Sequence, residues 1–413
     1  MRAVSLTIEG AYWDSQIYSG ELMLFDFDGG VHRIEWRDVI DSLAEKNQQV
    51  QTAIRVAFAD SDLFYNSKVR KVLCDPHIEH PIKLQLEKLA DIKTHVTSED
   101  WAKHWRTETT PFTFLPTDID IYYNQVFAGG NDGLFSTPRS GLGATRTFGK
   151  KTTKHHDARF FQVRASDRHT AIAGAAGDDG LFEFTFNRHE SDVLEKHKQL
   201  SQRDCNACDW AFQSVMGWTA TNAFLANFRQ DKDPNSKQMT RSFDRIVEAR
   251  EMFTNENAGN ASNAGFTWGS REKFYQITSS GIEVANYKPA DSKPPKRNST
   301  IQQLPLFTTI GALTLDFNAT NVIATGTAPF GTVLEFDDRL VVIRSDGKKD
   351  EFAGEPVHWR IFPRSEHYSN QLHIVYEDHV LVISFVHDYF VDQKSKLSGF
   401  ARGKGDLRED TEE

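Results

Sequence analysis

The sequence has few cysteines, no long apolar run and no excess of positive charge. Its three cysteines, Cys74, Cys205 and Cys208, cannot form a disulfide framework and are typical of a reducing compartment. Residues 1–12 lack the apolar core of a secretory signal, and no window approaches about eighteen uninterrupted apolar residues. The formal net charge of -10 argues against general attraction to nucleic acid or to an anionic membrane. We therefore expect a cytoplasmic protein without membrane contact.

Aromatic residues are abundant, at 12% of the chain, and include 30 phenylalanines. Aromatic and β-branched side chains suit pleated, half-buried surfaces, so this composition favours β-sheet. The chain has 413 residues, which is long for one ordinary domain. Repeat architectures exceed that size because each unit buries its apolar face against its neighbours.

One glycine-rich segment occurs twice. Residues 124–136 read NQVFAGGNDGLFS, and residues 169–184 read HTAIAGAAGDDGLFEF. Each copy has a short apolar run, a polar turn containing Asp-Gly, and a second apolar run that begins Gly-Leu-Phe, which is the pattern of a β-hairpin. Gly133 and Gly180 are 47 residues apart. A period of about 40 to 50 residues with several strands per unit predicts a β-propeller.

Weaker copies extend the repeat over most of the chain. They are residues 16–27, 214–228, 265–277, 321–336 and 372–385. From the first clear copy onward, the spacing between successive copies is 44 to 56 residues. Seven units fit the chain when a helical insertion near its start is set aside, within a range of six to eight.

These hairpins resemble the blades of seven-bladed β-propellers of the WD40-like and regulator-propeller kind. The resemblance implies an all-β fold of seven four-stranded blades with helical insertions, forming a single domain over residues 1–393. It also implies that residues 4–8 close the last blade beside residues 380–385, which removes an exposed sheet edge. No unit has the Gly-His and Trp-Asp pair of true WD40 repeats at that family's spacing.

Three segments do not follow the repeat. Residues 38–110 have helical periodicity and predict a helical insertion after the first blade. Leu84, Leu86 and Leu89 are taken together as apolar positions of one of its helices. Residues 190–257 predict an irregular insertion that includes two helices. These two helices are expected at residues 193–202 and 243–253. The polar residues 394–413 predict a disordered tail.

Two groups of residues have partial metal-site spacing. Cys205-x-x-Cys208, with His189 and His197 upstream, contains the ligand types of a Cys2His2 zinc site. Structural zinc sites bring ligands in recognisable pairs, and the histidines here are single. Residues 74–80 hold a further cysteine and two histidines beside a proline, which is typical of an exposed turn. We predict two cysteines of a helical insertion at 205 and 208, no metal and no cofactor.

A basic segment lies in this acidic chain. Six lysines and arginines occur within the 21 residues 139–159, against one acid, Asp157. The segment lacks the spacing of a phosphate-binding P-loop. It can contact an acidic protein face or a phosphate backbone, or be a solvated loop. The candidate binding residues are Arg139, Arg146, Lys150, Lys151 and Arg159, with the tryptophans Trp101 and Trp105, which the spacing places four apart on one helical face of the insertion.

The sequence contains no catalytic signature such as a Gly-x-Ser-x-Gly elbow, and no catalytic residue is predicted. The acid pairs Asp178-Asp179 and Asp337-Asp338 are typical of turns. We therefore predict a non-catalytic scaffold that binds other macromolecules as a subunit of an intracellular multiprotein complex. Two alternatives are a nucleic-acid-binding regulatory subunit that uses residues 139–159, and a propeller hydrolase with a site in the central channel.

Overall fold

Seven antiparallel sheets account for most of the structure. The computed structural model of the chain describes residues 1–59, 61–97, 99, 104–166, 168–186, 194–232, 239–253, 265–279, 281–288, 306–391 and 396. Within these residues, thirty strands form seven sheets of four or five strands each. This is the strand arrangement of a seven-bladed β-propeller, and the predicted fold class is confirmed. No helix in the described part of the chain is both long enough and apolar enough to span a bilayer.

The chain divides into two compact units. The first contains residues 1–110, residues 141–146 and the chain from residue 322. Its strands belong to three blades. Blade 1 consists of β2 (Asp14–Tyr18), β3 (Glu21–Phe25), β4 (Gly30–Glu35) and β6 (Trp105–Thr109), and blade 6 consists of β24 (Ala324–Ala328), β25 (Gly331–Phe336), β26 (Arg339–Arg344) and β27 (Lys349–Ala353). Blade 7 consists of β28 (His358–Ile361), β29 (Gln371–Val375), β30 (His379–Ser384), β1 (Val4–Glu9) and β5 (Thr94–Val96). Its helices are α1 (Trp36–Lys46), α2 (Gln51–Phe58), α3 (Ser61–Tyr65), α4 (Ser67–Leu73) and α5 (Pro76–Asp91), with 3-10 turns at Gln48–Val50, Gly143–Thr145 and Val386–Tyr389.

The second unit contains residues 111–140 and 147–321 and holds the other four blades. Blade 2 consists of β7 (Asp118–Tyr122), β8 (Gln125–Gly130), β9 (Gly133–Ser140), β10 (Thr147–Phe148) and β11 (Thr153–His156). Blade 3 consists of β12 (Gln162–Ala165), β13 (Ala171–Ala175), β14 (Leu181–Phe186) and β15 (Leu194–Ser201), and blade 4 consists of β16 (Ala207–Ala211), β17 (Ser214–Trp218), β18 (Ala223–Lys232) and β19 (Met239–Glu248). Blade 5 consists of β20 (Thr267–Ser270), β21 (Lys273–Thr278), β22 (Gly281–Tyr287) and β23 (Phe307–Thr314). A short helix, α6 (Ala249–Met252), follows β19.

Blade 7 is completed by the beginning of the chain. β1 pairs antiparallel with β30, with Val4 opposite Ser384 and Ile8 opposite Val380. β5 then pairs with β1 in parallel. The predicted closure by residues 4–8 is therefore confirmed, and β30 has a hydrogen-bonded strand on each side.

The helical insertion lies inside blade 1, between β4 and β6, and not after the blade as predicted. Its inner face is α1, where Val39, Ile40 and Leu43 are buried at helical spacing. The helical part ends before residue 105, because residues 105–109 pair with β4 as the fourth strand of the blade. The predicted bounds of 38–110 therefore include one strand of the propeller itself.

The helix predicted at residues 193–202 is wrong, because β15 lies there. Of the helix predicted at residues 243–253, the structure has the four residues of α6, and β19 precedes them. β19 pairs with β18 along its whole length, and β15 pairs with β14. Hydrogen bonding to a neighbouring strand outweighs a weak local preference for helix. The described strands of this range complete blade 3 and form blade 4, so this part of the chain belongs to the propeller.

The repeated hairpin has the predicted form in both clear copies. β8 and β9 form one hairpin, and β13 and β14 form the other. Gly133 and Gly180 have φ angles of 136° and 93°. A Cβ atom at Gly180 would lie 2.1 Å from the Ser201 carbonyl oxygen, and one at Gly133 would lie 2.4 Å from that of His156. Only glycine fits where the turn meets the following strand.

Polar side chains tie neighbouring blades together in the second unit. Asp118 Oδ2, on β7, accepts a hydrogen bond of 2.8 Å from the Val163 amide on β12. Gln162 Oε1, on β12, accepts one of 2.8 Å from the Cys208 amide on β16. The partners are 45 and 46 residues apart, which matches the repeat period read from the sequence.

Part of the predicted organisation lies outside the described residues. Within the predicted disordered tail, residues 394–413, the structure describes Lys396 alone. Its side chain is buried, and Nζ lies 2.5 Å from Asp388 Oδ1. Trp101 and His189 also lie outside the described residues.

Candidate functional site

The cations of residues 139–159 lie in different environments. Arg139, on β9, is 6% exposed. Arg146 is half-buried, and its Nη1 donates a hydrogen bond of 2.6 Å to the Ser19 carbonyl oxygen. Both guanidinium groups therefore make contacts within the protein. They are less available to a partner than they would be in a solvated loop.

Three of the five predicted binding cations are exposed, namely Lys150, Lys151 and Arg159. In the stretches that the structure describes, neither lysine has an ion-pair partner. The Arg159 guanidinium lies over the Phe161 ring, 4.3 Å from its centroid. Lys154, a further cation of the segment, pairs with Asp157 at 2.6 Å.

Trp105 lies on a strand, so the prediction that it shares a helical face with Trp101 is wrong. Its indole Nε1 donates a hydrogen bond of 2.9 Å to Thr107 Oγ1. Its ring contacts the His32 ring, with 4.7 Å between the centroids. Pairing between β4 and β6 brings these two rings together, and Trp105 therefore contributes to the packing of blade 1.

Cys205 and Cys208 are buried between the strands of blades 3 and 4, at 0% and 1% exposure. Burial raises the pKa of Cys205 to about 12 and raises the pKa of Cys208 well above its usual value. Zinc binds the thiolate, and burial disfavours the thiolate form of both cysteines. His197 is exposed on β15. Among the residues that the structure describes, no three potential ligands form a metal-binding group.

The paired carboxylates lie in exposed hairpin turns. Asp178 and Asp179 lie between β13 and β14, and Asp337 and Asp338 lie between β25 and β26. Asp338 pairs with Arg339 at 2.8 Å. These positions agree with the turn interpretation, because Asp side chains can hydrogen-bond the nearby backbone of a turn.

A concentration of exposed apolar side chains lies on and beside helices α3 to α5. Of the twelve exposed large apolar side chains in the described part of the chain, five lie within residues 63–92. We name this set the insertion surface. Its members are Leu63, Val72, Ile78, Leu84 and Ile92. Clusters of exposed apolar side chains on a soluble fold are typical of contact sites.

Helix α5 has one buried face and one exposed face. Leu86 and Leu89 are buried, whereas Pro81, Leu84 and Lys88 are exposed at spacings of three and four residues. Leu84 and Leu86 are separated by about 200° around the helix axis, so they cannot both face the core. The interpretation of the sequence treated Leu84 and Leu86 as members of the same apolar helical pattern. The angular position of Leu84 was the signal that could have identified it as a surface residue.

The charge around the insertion surface is positive. The acids of α5 are already paired: Glu79 with Lys83, Glu87 with Arg2 at 3.3 Å, and Asp91 with Arg2 at 2.8 Å. The exposed lysines of this region with no ion-pair partner among the described residues are Lys71, Lys88 and Lys93. An acidic chain therefore has exposed apolar side chains and unpaired lysines in one stretch of sequence, with Asp75 as an exposed acid in the same stretch.

A buried polar network fixes the insertion to its unit. Tyr65 Oη, at the end of α3, donates a hydrogen bond of 2.8 Å to Asp388 Oδ2. Asp388 Oδ1 accepts one of 2.7 Å from Ser345 Oγ and also pairs with Lys396. All four residues are buried. A fully paired, buried carboxylate holds its neighbours in one geometry, so the insertion surface has a rigid support.

Comparison with known proteins supplies no family for this chain. No family model matches the chain, and no curated protein matches it. One similar solved structure is the WD40 β-propeller domain of Doa1, which is 10% identical over 92% of this chain and 96% of that chain, with a TM-score of 0.45. Another is the computationally designed Ika8 protein, 10% identical over 93% of this chain and 99% of that chain, with a TM-score of 0.41. Likeness at this level assigns no role to this chain, and the fold rests on its own strand pairing.

Proposed function

We propose that this chain is a non-catalytic scaffold that binds another protein as a subunit of an intracellular complex, with the insertion surface as the contact. The observation that carries the proposal is that, among the described residues, five of the twelve exposed large apolar side chains lie within residues 63–92, a stretch that also holds unpaired lysines. Protein interfaces typically have an apolar centre and a polar or charged rim. The stretch that contains the insertion surface has exposed side chains of both kinds.

The energy available from this surface suits a specific protein contact. Covering a half-exposed leucine or isoleucine side chain contributes roughly 1 to 2 kcal/mol. Five such side chains together offset a substantial part of the entropy cost of association, which is about 4 to 15 kcal/mol. The rigid support provided by Tyr65 and Asp388 limits the further cost of ordering the helices.

The proposal predicts that a charge within the insertion surface removes the partner. Leu84→Glu places a carboxylate on the exposed face of α5, where Leu84 is 51% exposed. The matched control is Ile323→Glu, because Ile323 is also 51% exposed and lies outside the insertion. Tagged wild type purified from the native host should recover a stoichiometric partner, Leu84→Glu should lose it, and Ile323→Glu should retain it.

Two results contradict the proposal. One is a wild-type preparation that contains no stoichiometric partner. The other is a partner that remains bound to Leu84→Glu as tightly as to Ile323→Glu, which would place the contact elsewhere. Circular dichroism of both variants establishes that each retains the sheet content of the wild type, so that loss of binding is not loss of fold.

Nucleic-acid binding through residues 139–159 is the second candidate. Lys150, Lys151 and Arg159 are exposed and support it. Three cations make at most about three phosphate contacts, whereas tight binders of duplex DNA make about six to ten. The apolar character of the insertion surface has no role in phosphate contact, so the observations favour a protein partner.

A further inference from the structure

The last strand of blade 5 differs in composition from the last strands of other blades. In the described part of the chain, the other last strands of five or more residues all contain charged residues. They are β6 (WRTET), β15 (LEKHKQLS), β19 (MTRSFDRIVE) and β27 (KDEFA). β23 has eight residues, FTTIGALT, and none is charged. In blades 2 and 7 the last strands have only two to four residues.

Charge and short length protect sheet edges from other chains. A strand at an edge has backbone N–H and C=O groups without a strand partner, and proteins blunt such edges with lysine, with short strands or with bulges. β23 is the end strand of its sheet and pairs with β22 alone. In the described part of the chain, the protective feature of β23 is a bulge, which lies opposite Val284 and Ala285. β15 and β19 have bulges and charges together.

Among the described residues, none covers the middle of β23. Thr308 to Ala312 are all exposed, and Ile310 is 40% exposed. A Cβ atom built on Gly311 would have no heavy atom within 4 Å. An added strand lies about 4.8 Å from its neighbour, and its side chains extend to both faces of the sheet. Small and exposed side chains at the middle of β23 leave room for such a strand.

We propose that β23 binds an extended, uncharged segment of another protein, which adds as a further strand to blade 5. Main-chain hydrogen bonds supply the affinity in this mode of recognition, and side chains on alternate positions supply the specificity. Because β23 has no charged side chain, a charged residue directly opposite it would be partly desolvated without an opposite charge. The occupant that fits is a neutral segment rich in small and β-branched residues.

A second copy of this chain fits the edge less well. Each copy has a formal net charge of -10, which disfavours close approach of two copies. A strand of this length is about 27 Å long, and one strand pair covers far less than the roughly 800 Å² per partner that a stable dimer needs. An extended segment of another protein does not require that area. The site is separate from the insertion surface and does not depend on it.

The test uses a capped ten-residue peptide of alternating threonine and valine with the full-length chain. At millimolar peptide, amide hydrogen exchange in residues 307–314 should slow at least tenfold, while exchange in β6 stays unchanged. Thr309→Lys places a charge at the middle of the edge and should raise the dissociation constant of a dye-labelled peptide at least tenfold. Thr109→Lys, which adds the same charge to β6, is the matched control and should leave it unchanged.

Three outcomes would overturn this proposal. In the first, the peptide leaves exchange in residues 307–314 unaltered. In the second, Thr309→Lys binds the peptide as tightly as Thr109→Lys does. In the third, sedimentation velocity shows a wild-type dimer that Thr309→Lys converts to a monomer, which would assign the edge to a second copy. The exchange measurement needs no variant, so it decides even if Thr309→Lys fails to fold.

Discussion

At the scale of single residues, burial of His373 links stability to pH. The side chain, on β29, is 0% exposed. Nδ1 lies 2.8 Å from Ser15 Oγ, and Nε2 lies 3.2 Å from Gln371 Oε1. Burial lowers the pKa of His373 from 6.5 to about 3, because a protonated ring would lose its hydration. The folded protein therefore holds this ring neutral at ordinary pH.

The sign of the effect follows from the two states. The unfolded chain protonates His373 below pH 6.5, whereas the folded chain does so only near pH 3, so the free energy of unfolding falls as pH falls through this range. The free energy of unfolding falls by at most about 1.4 kcal/mol per pH unit through this one group. We predict that His373→Gln reduces the slope of the unfolding free energy against pH, between pH 6.5 and 4, by about one proton. Urea unfolding at a series of pH values measures this slope.

His77→Gln is the control for this measurement, because His77 is exposed on α5. That variant should retain the wild-type slope. A His373→Gln variant with the wild-type slope would show that His373 does not contribute to the acid sensitivity of the fold.

At the scale of the element, the hairpin glycines have a steric role that can be measured. Gly180 has a φ of 93°, and a Cβ atom there would lie 2.1 Å from the Ser201 carbonyl oxygen. Gly20 has a φ of 84° but no heavy atom within 4 Å of the Cβ position. We predict that Gly20→Ala costs about 1 kcal/mol of unfolding free energy from backbone strain alone. Gly180→Ala should cost roughly 3 kcal/mol, because a backbone clash is added to the strain.

Urea midpoints of the two variants compare these costs directly. Equal losses for Gly20→Ala and Gly180→Ala would mean that the clash is relieved by movement of β15. That result would remove the steric explanation for the recurring Gly-Leu-Phe.

The elements differ in how far the sequence determines them. Hairpins such as β8–β9 were predictable because an Asp-Gly turn and two apolar runs are local signals. β15 and β19 were mispredicted because their structure depends on pairing with β14 and β18, which is not local. The basic segment was visible as charge, but the burial of Arg139 depends on the tertiary fold. For Leu84, the helix was predicted correctly and the direction of the side chain was not.

At the scale of the whole molecule, the first strand determines whether blade 7 is complete. β1 lies between β30 and β5, and its inward side chains Val4, Leu6 and Ile8 are each 0% exposed. The same three side chains belong to the apolar cluster that contains the inner face of α1. One strand therefore joins the sheet of blade 7 to the helical insertion.

Deletion of residues 1–10 should expose β30 as an unpaired edge and remove three core side chains at once. We predict that the truncated chain loses several kcal/mol of unfolding free energy, since each buried aliphatic side chain contributes about 2 kcal/mol, and that it aggregates through β30. A synthetic peptide of residues 1–12 should restore a monomer in size-exclusion chromatography and raise the urea midpoint, because it can pair with β30 in the native register. The same peptide with Leu6→Asp should do neither. A truncated chain that remains monomeric at wild-type stability would contradict the role assigned to β1. Rescue by both peptides would mean that blade 7 accepts any added strand. In that case the core contacts of Leu6 do not determine which strand pairs with β30.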